Sequence, residues 1–279
     1  NSLSAMRLAA RAAEVLGVEV SVRDIFDAPS VRELIVATIG RGAALAPITK
    51  ADPRPARIPL SFAQQRMWFI NQLDPALPTY NIPAVLRLTG DLDVAAFGAA
   101  LRTLVARHEV LRTSYPDSPQ GPFQKIHPVA DAGVELIVTD VDQASPDEAV
   151  RSVAAVAFDV TAEVPVRAVL LRERDRPGGD HRSYVFVLVL HHICADGLSV
   201  VTLAAQLAAD YAALRSGGEP DRTPDPVQYA DFAIWQRARL DDPDGPAATE
   251  LAQWRERLTG APPVVDLPTD RPRPADPSG

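Results

Sequence analysis

The chain of 279 residues has little cysteine, little lysine and no excess of positive charge. Its single cysteine, Cys194, excludes an internal disulfide and is typical of a reducing compartment, so we expect a cytoplasmic location. The formal net charge of −8 argues against a nucleic-acid partner, because such a partner would require a basic face. Only Lys50 and Lys125 are lysines, so arginine supplies nearly all of the positive charge.

Long apolar runs and internal repeats are also missing. We find no apolar run long enough to cross a bilayer and no signal peptide at the start, so the sequence predicts no membrane partner. Hydrophobic residues still make up 47% of the chain, which is enough to build the core of one large domain beside a small one. The composition is therefore typical of a soluble enzyme fragment.

The most informative stretch is His191-His192-Ile193-Cys194-Ala195-Asp196-Gly197, which follows a continuous apolar run over 184–190 and precedes a helical pattern over 198–214. Neighbouring side chains on a strand point to opposite faces, so His191 and His192 cannot both face one cavity. The sequence therefore predicts one working histidine and one packed histidine, and it argues against a metal held by the pair. A histidine at a strand end is more often a core residue than a catalyst, so the pattern alone leaves both interpretations open.

Four motifs in a fixed order resemble those of the condensation domains of nonribosomal peptide synthetases, which are similar to chloramphenicol acetyltransferase. The histidine stretch resembles the motif HHxxxDG. The other three are SFAQQRMW at 61–68, which resembles SxAQxR(L/M)W, RHEVLRTSY at 107–115, which resembles RHExLRTxF with Tyr115 in place of the usual phenylalanine, and YADFAIW at 229–235, which resembles YxDFAxW. The resemblance runs from about Ile58 to the end of the chain.

The first forty residues resemble the later part of a peptidyl carrier domain. Asn1-Ser2-Leu3 matches only the end of the carrier motif GG(D/N/H)SL, without its glycines and without the helix that precedes it. By this resemblance Ser2 is the attachment site of 4′-phosphopantetheine, the covalent cofactor. A simpler interpretation is that Ser2 caps the following helix, and both can hold.

Alternating strand and helix patterns after residue 58 predict a two-layer α/β sandwich, including a strand at 111–115 and a helix at 147–158. The resemblance implies the chloramphenicol acetyltransferase-like type: one lobe of a V-shaped pseudo-dimer, preceded by a small all-α carrier remnant. We expect the carrier remnant at 1–40, a proline-rich, extended linker at 41–57 and the N-terminal lobe of a condensation domain at 58–279. The C-terminal lobe, which closes a tunnel between the two lobes, is expected outside this sequence.

The resemblance also implies a reaction between carrier-bound thioesters. The α-amine of a downstream aminoacyl thioester attacks the carbonyl of an upstream peptidyl thioester, so donor and acceptor peptidyl carrier domains are the expected partners. Holding two tethered reactants together supplies much of the rate enhancement, and a histidine suits removal of the amine proton. By this resemblance His192 is the active-site histidine, either as a base or as a group that holds the amine by a hydrogen bond.

Roles for the remaining motif residues follow from the same resemblance and from strand alternation. His191 is expected to be structural, and Asp196 is expected to pair with Arg66 of the first motif, which would keep its carboxylate ionised. Gly197 is expected to allow close approach of the backbone to the substrate, and its N–H to polarise the thioester oxygen. Cys194 is expected to be a small buried residue rather than a nucleophile. For the second and fourth motifs we expect helix capping, salt bridges and helix docking.

Two other functions stay open from the sequence. An epimerisation domain has the same fold, although the first motif and the stretch Tyr80-Asn81-Ile82-Pro83 are more typical of condensation domains that accept an L-residue donor. A docking platform that has lost catalysis is the second, and the intact histidine stretch argues against it. Heterocyclisation is disfavoured because that class replaces HHxxxDG with a DxxxxD pattern.

Overall fold

The chain divides into two compact units, Asn1–Thr49 and Lys50–Gly279. The structure is a computed structural model. It describes residues 2–28, 30–42, 48–141, 146–173, 183–221, 223, 225–243, 245–263, 268 and 270–271.

The described part of the first unit is helical, as expected for a carrier remnant. Its helices are α1 (Ser2–Leu16), α2 (Val22–Asp27) and α3 (Val31–Thr38). Gly17 ends α1 with a φ of 67°, a left-handed conformation that favours glycine. Ser21 caps α2 by accepting a hydrogen bond from the N–H of Asp24. Asp24 in turn pairs with Arg41 through two bonds of 2.6 and 2.7 Å, which tie α2 to the residues after α3.

The second unit contains two sheets and a set of helices. Its described strands are β1 (Ile58–Pro59), β2 (Asn81–Thr89), β3 (Thr113–Ser114), β4 (Phe123–Ile126), β5 (Leu136–Val141), β6 (Val166–Glu173) and β7 (Ser183–His191). Its described helices are α4 (Phe62–Leu73), α5 (Val94–Arg107), α6 (Pro146–Ala154), α7 (Gly197–Arg215), α8 (Tyr229–Leu240) and α9 (Pro246–Leu258). The main sheet has the order β2-β7-β6-β5, and the small sheet has the order β1-β4-β3.

Strand β7 is the centre of the main sheet. It is antiparallel to both of its neighbours, β2 and β6, whereas β5 and β6 are parallel. Every residue from Tyr184 to His191 is buried. A strand that is covered on both faces has apolar side chains in both orientations, which explains the continuous apolar run in the sequence.

Helices α5 and α7 pack together over this sheet. Phe97 of α5 contacts Phe186 of β7 edge-on, with 4.9 Å between ring centroids, and Tyr211 of α7 at 5.7 Å. At the end of α5, Arg107 forms a buried ion pair of 3.2 Å with Asp210 of α7. The predicted two-layer α/β sandwich is therefore confirmed.

Helix α7 differs from one expectation. The sequence predicted no apolar run of membrane-spanning length, yet α7 is long and apolar enough for that, with a mean hydropathy of 1.3 over its best window. Its Leu203 and Leu207 are buried in the core, and its Asp210 is buried in the ion pair with Arg107. Only 17% of that window is buried, so packing in the core accounts for part of the apolar character of this helix.

Two predicted elements are shorter than expected. The strand predicted at 111–115 is reduced to β3, because Glu109–Arg112 forms a 3-10 turn closed by a 2.7 Å bond from the Thr113 hydroxyl to the Glu109 carbonyl. The helix predicted at 147–158 ends at Ala154. Its last turn is held by the Asn81 amide, which donates to the carbonyls of Ala154 and Val156 at 2.8 and 2.9 Å.

A buried ion cluster corrects the predicted linker at 41–57. Arg54 donates two hydrogen bonds of 2.9 Å to the carboxylate of Asp231 in α8 and one of 2.6 Å to Glu109. The N–H of Ala51 also donates to Asp231, at 3.1 Å. Residues from Ala51 onward therefore belong to the second unit, because this cluster holds them against two of its motifs.

We expect Asp231→Ala to lower the free energy of unfolding by about 3 kcal/mol, since it removes one partner of a buried pair and leaves Arg54 with Glu109 alone. Burial alone would raise the pKa of Asp231, but hydrogen bonds from Arg54 and from backbone N–H groups outweigh it and lower that pKa. This contribution is therefore present above the pKa of the unfolded carboxyl group and is lost as the pH falls through the folded pKa.

Urea unfolding of the wild type and the variant at about pH 7 and about pH 3 measures the effect. The matched control is Asp241→Ala, at the end of the same helix, because its side chain is 57% exposed. A loss of stability as large in the control as in Asp231→Ala would contradict the importance of the cluster.

Strand β7 ends at His191, which is only 3% exposed. Its Nδ1 accepts a hydrogen bond of 3.1 Å from the N–H of Ile193, and the ring of Phe158 lies edge-on at 6.4 Å. Burial, together with the neighbouring His192, lowers the pKa of His191 to about 4. The imidazole is therefore neutral at neutral pH, and Nε2 carries its proton.

The neutral state of His191 predicts a specific pH dependence of stability. The unfolded ring gains a proton near its ordinary pKa of 6.5, and the folded ring does so only near pH 4. Stability should therefore fall by about 3 kcal/mol as the pH drops through this window, because the unfolded state binds the proton first. NMR titration of the imidazole measures the folded pKa, and His191→Gln should remove this part of the pH dependence. A His191 ring that titrates near 6.5 would contradict it.

Candidate active site

The histidine stretch lies at one end of the strands of the main sheet, where β7 ends and where β2 and β6 begin. The N–H of His191 donates to the carbonyl of Pro165, just before β6, at 3.1 Å. The N–H of His192 donates to the carbonyl of Tyr80, just before β2, at 2.9 Å. Both neighbouring strands therefore hold the backbone of the two histidines.

The two histidines have opposite environments. His191 is buried and His192 is exposed, in agreement with the alternation expected of a strand. The His192 ring makes no hydrogen bond and no ion pair with any residue that the structure describes. Its one aromatic neighbour outside the histidine pair is Tyr80, whose ring lies edge-on at a centroid distance of 6.4 Å. Both ring nitrogens of His192 are thus without a hydrogen-bond partner among the described residues.

The turn after the histidines buries Cys194. Its thiol donates to the carbonyl of His191 at 3.1 Å, and burial raises the pKa of Cys194 to about 12. A thiol that keeps its proton at neutral pH is a poor nucleophile. The interpretation of Cys194 as a small buried residue fits this environment.

Asp196 is the N-cap of α7. Its carboxylate accepts hydrogen bonds from the N–H and the hydroxyl of Ser199 at 2.8 and 2.6 Å, and the Ser199 hydroxyl accepts one from the N–H of Asp196 at 3.3 Å. This reciprocal arrangement satisfies the N–H of Ser199, one of the orphan N–H groups in the first turn of α7, and the N–H of Asp196 itself. The bonds from Ser199 also lower the pKa of Asp196.

The predicted ion pair between Asp196 and Arg66 is wrong: the two do not pair in the part of the chain that the structure describes. Asp196 is committed to the first turn of α7, where the hydroxyl and the N–H of Ser199 are its donors. Arg66 lies on the exposed side of α4. There it borders a cleft of about 350 Å³ lined by Phe62, Gln65, Trp68, Phe69 and Pro122.

Gly197 is the first residue of α7 and is exposed. A Cβ atom added to it would meet no atom within 4 Å, so packing in this chain does not require a glycine. The first N–H groups of a helix lack intrahelical partners. Among the described residues, the N–H of Gly197 has no hydrogen-bond acceptor, and this donor stands five residues after His192 in the chain.

The four motifs meet through buried hydrogen bonds. The hydroxyl of Tyr115 in the second motif donates to the carbonyl of Ile193 at 3.4 Å and accepts from the Gln64 amide of the first motif at 3.3 Å. Burial raises the pKa of Tyr115 well above its usual value, so the hydroxyl keeps its proton. The first and fourth motifs are joined by the hydroxyls of Ser61 and Tyr229, 3.0 Å apart.

The other motif residues that were predicted to be structural make structural contacts. His108 Nε2 lies 2.6 Å from the Gln206 side-chain oxygen of α7, and Arg112 donates to the carbonyl of His127 at 2.6 Å. The backbone of Ser2 begins α1, whereas its side chain lies outside the described part of the chain. Across the described ranges, no group of three or more histidine, cysteine, aspartate or glutamate residues could hold a metal ion.

Two residues of this region escaped prediction from the sequence. Arg54 stands in a proline-rich stretch that resembles a linker, and nothing in its spacing pointed to Asp231 or Glu109. Tyr80 belongs to the stretch Tyr80-Asn81-Ile82-Pro83, which was interpreted only as a sign of donor type. A pairing register between β2 and β7 would have brought Tyr80 beside His192, but the register comes only from the folded sheet.

Family models match both parts of the chain. The condensation domain model matches residues 56–278, and the model of the phosphopantetheine attachment site matches residues 1–36.

Curated relatives are large synthetases. The chain is 41% identical to a dimodular nonribosomal peptide synthase of Bacillus subtilis, over 100% of the chain but only 12% of that protein. It is 43% identical to an isonitrile lipopeptide synthase of Mycobacterium tuberculosis, over 80% of the chain and 9% of that protein. The chain therefore spans a small fraction of the length of these relatives.

Solved structures share the fold. The X-domain in its complex with OxyB from teicoplanin biosynthesis is 34% identical with a TM-score of 0.72, and the match covers 84% of this chain and 50% of that one. The first condensation domain of the calcium-dependent antibiotic synthetase, in complex with a substrate analogue, is 25% identical with a TM-score of 0.61, over 75% of this chain and 49% of that one. With four motifs joined by hydrogen bonds, and with these matches, the chain belongs to the condensation domain family of nonribosomal peptide synthetases and carries a phosphopantetheine attachment segment before it.

Proposed function

We propose that this chain is the N-terminal lobe of a condensation domain that forms a peptide bond between two carrier-bound substrates. The amine of a downstream aminoacyl thioester attacks the carbonyl of an upstream peptidyl thioester. The observation that carries this proposal is the exposed imidazole of His192, whose nitrogens have no partner among the described residues. The N–H of Gly197, five residues further along the chain, has no acceptor among them either. Family membership supplies the class of reaction.

His192 accepts the proton that the attacking amine must lose as the new C–N bond forms. The carbonyl oxygen gains negative charge in the same step. The N–H of Gly197 donates to that oxygen, and the partial positive charge at the start of α7 adds to the stabilisation. The C–S bond then breaks, and the proton held by His192 can return to the departing thiolate.

Asp196 is a weaker candidate for the base. Its carboxylate is occupied by Ser199, and the hydrogen bonds that hold it also lower its pKa and make it less basic. His191 is buried and neutral, and its Nδ1 is engaged by the N–H of Ile193. Both residues therefore shape the turn that carries His192 and Gly197, and they leave the proton transfer to His192.

The chain also fits its expected cofactor. Ser2 is the first residue of α1, and the start of a helix favours the negative charge of a phosphodiester. When attached, the 4′-phosphopantetheine group supplies the thiol that carries the acyl chain as a thioester. Ser2 would hold it, in the carrier part that we place at 1–40, and the second unit, Lys50–Gly279, follows in the chain.

The partners proposed here are donor and acceptor carrier domains and a C-terminal lobe. The solved relatives are about twice as long as the matched part of this chain, which supports a second lobe. A docking role is the second candidate, since the X-domain of the teicoplanin system is seen in complex with OxyB. The unengaged ring of His192 favours catalysis over docking. An epimerisation role has no such support among these relatives.

We expect His192→Ala to lower peptide formation by at least about 100-fold, because it removes the proton acceptor. Its melting temperature should stay near that of the wild type, since the side chain is exposed. The assay uses the synthetase that contains this chain, with both carriers loaded. Asp196→Asn is the matched control, because asparagine also caps a helix and should retain most of the activity. Full activity of His192→Ala, or a dead Asp196→Asn of normal stability, would overturn these roles.

Ser2 can be tested separately by modification. In the chain extended by its natural upstream residues, a phosphopantetheinyl transferase should add one prosthetic group, and Ser2→Ala should abolish the addition. Ser4→Ala, in the first turn of the same helix, serves as the control and should still be modified. Intact-mass spectrometry reads the result. A Ser2→Ala chain that still gains the group would refute the assignment.

A further inference from the structure

Tyr80 lies directly against the exposed histidine. It immediately precedes β2, and its carbonyl accepts the hydrogen bond of 2.9 Å from the N–H of His192. The registered pair Asn81 and His191 comes directly before this contact. Tyr80 and His192 thus extend the pairing of β2 with β7 by one position beyond the ends of the two strands.

The ring of Tyr80 touches both histidines. Its centroid lies 6.4 Å from that of His192, with the two planes at 74°, and 6.3 Å from that of His191. Edge-on aromatic pairs at this distance have a preferred geometry. The contact therefore restricts the plane of the His192 imidazole, which has no hydrogen bond to another described residue.

Tyr80 is itself held in place. Its half-buried ring packs against the hydrophobic core. The next residue, Asn81, is tied to the end of α6 by the two hydrogen bonds from its amide to the carbonyls of Ala154 and Val156. A ring supported in this way can orient a neighbour, because its own position is determined by the core and by α6.

We propose that Tyr80 is a positioning residue for His192, acting through its aromatic ring, which sets the orientation of the imidazole toward the attacking amine. This inference rests on the proposed function of the same site. The ring carries the role, and the hydroxyl, which has no hydrogen-bond partner among the described residues, does not. A misplaced base lowers the rate of the chemical step rather than the binding of the carriers.

The test compares three variants in the complete synthetase with both carriers loaded. Tyr80→Leu removes the ring and should lower kcat about tenfold with little change in the KM for the acceptor carrier. Tyr80→Phe retains the ring and should restore kcat to near the wild-type value. Tyr211→Leu is the matched control, because Tyr211 is also half-buried and also makes an edge-on contact, at 5.7 Å from Phe97, but lies on α7 away from the histidines. It should lower the melting temperature without the selective loss of kcat.

A second readout does not depend on catalysis. The ring hydrogens of His192 should show a ring-current shift in NMR spectra that is lost in Tyr80→Leu and kept in Tyr80→Phe. Unchanged kcat in Tyr80→Leu, or an equal loss in Tyr80→Phe, overturns the positioning role. If the wild-type synthetase forms no peptide, the proposed function fails, and the positioning role of Tyr80 fails with it. The NMR shift then shows only whether the contact between Tyr80 and His192 exists.

Discussion

The rest of the structure depends on β7, a strand that is hydrogen-bonded on both sides and buried on both faces. Its apolar run from Tyr184 to Leu190 leaves no solvent-facing side, so the chain must place it in the middle of the sheet. Its end is then held by Pro165 on one side and by Tyr80 on the other. The backbone of the exposed His192 therefore follows a strand end that is hydrogen-bonded to both neighbouring segments.

Most residues of the four motifs hold the lobe together. Buried polar groups need partners, because leaving one unpaired costs free energy. The motifs provide these partners for one another: Gln64 and the carbonyl of Ile193 satisfy the Tyr115 hydroxyl, and Arg54 satisfies both Asp231 and Glu109. Glu109 of the second motif and Asp231 of the fourth therefore hold Arg54, in the segment that precedes the first motif in the chain. Although these motifs lie far from His192 in the sequence, they share the task of holding the lobe together.

Neighbouring residues of one stretch acquire different chemistry from their surroundings. Burial makes His191 a neutral core residue and keeps the Cys194 thiol protonated. The start of α7 engages Asp196 through Ser199. In this stretch the ring of His192 and the N–H of Gly197 are exposed and have no hydrogen-bond partner among the described residues. The surroundings therefore engage or bury His191, Cys194 and Asp196, and this sets His192 apart from its neighbours.

The sequence by itself determined the layered fold, the apolar strand over 184–190 and the opposite environments of His191 and His192, because hydrophobic periodicity and strand alternation act over a few residues. Only the tertiary structure decided the partners of charged and polar side chains. Asp196 pairs with Ser199 instead of Arg66, Arg54 belongs to the lobe instead of a linker, and Tyr80 meets His192 through the strand register. The contacts of Arg54 and Tyr80 join segments far apart in the chain, and the choice between Ser199 and Arg66 as partner of Asp196 depends on the direction in which α4 and α7 present their side chains.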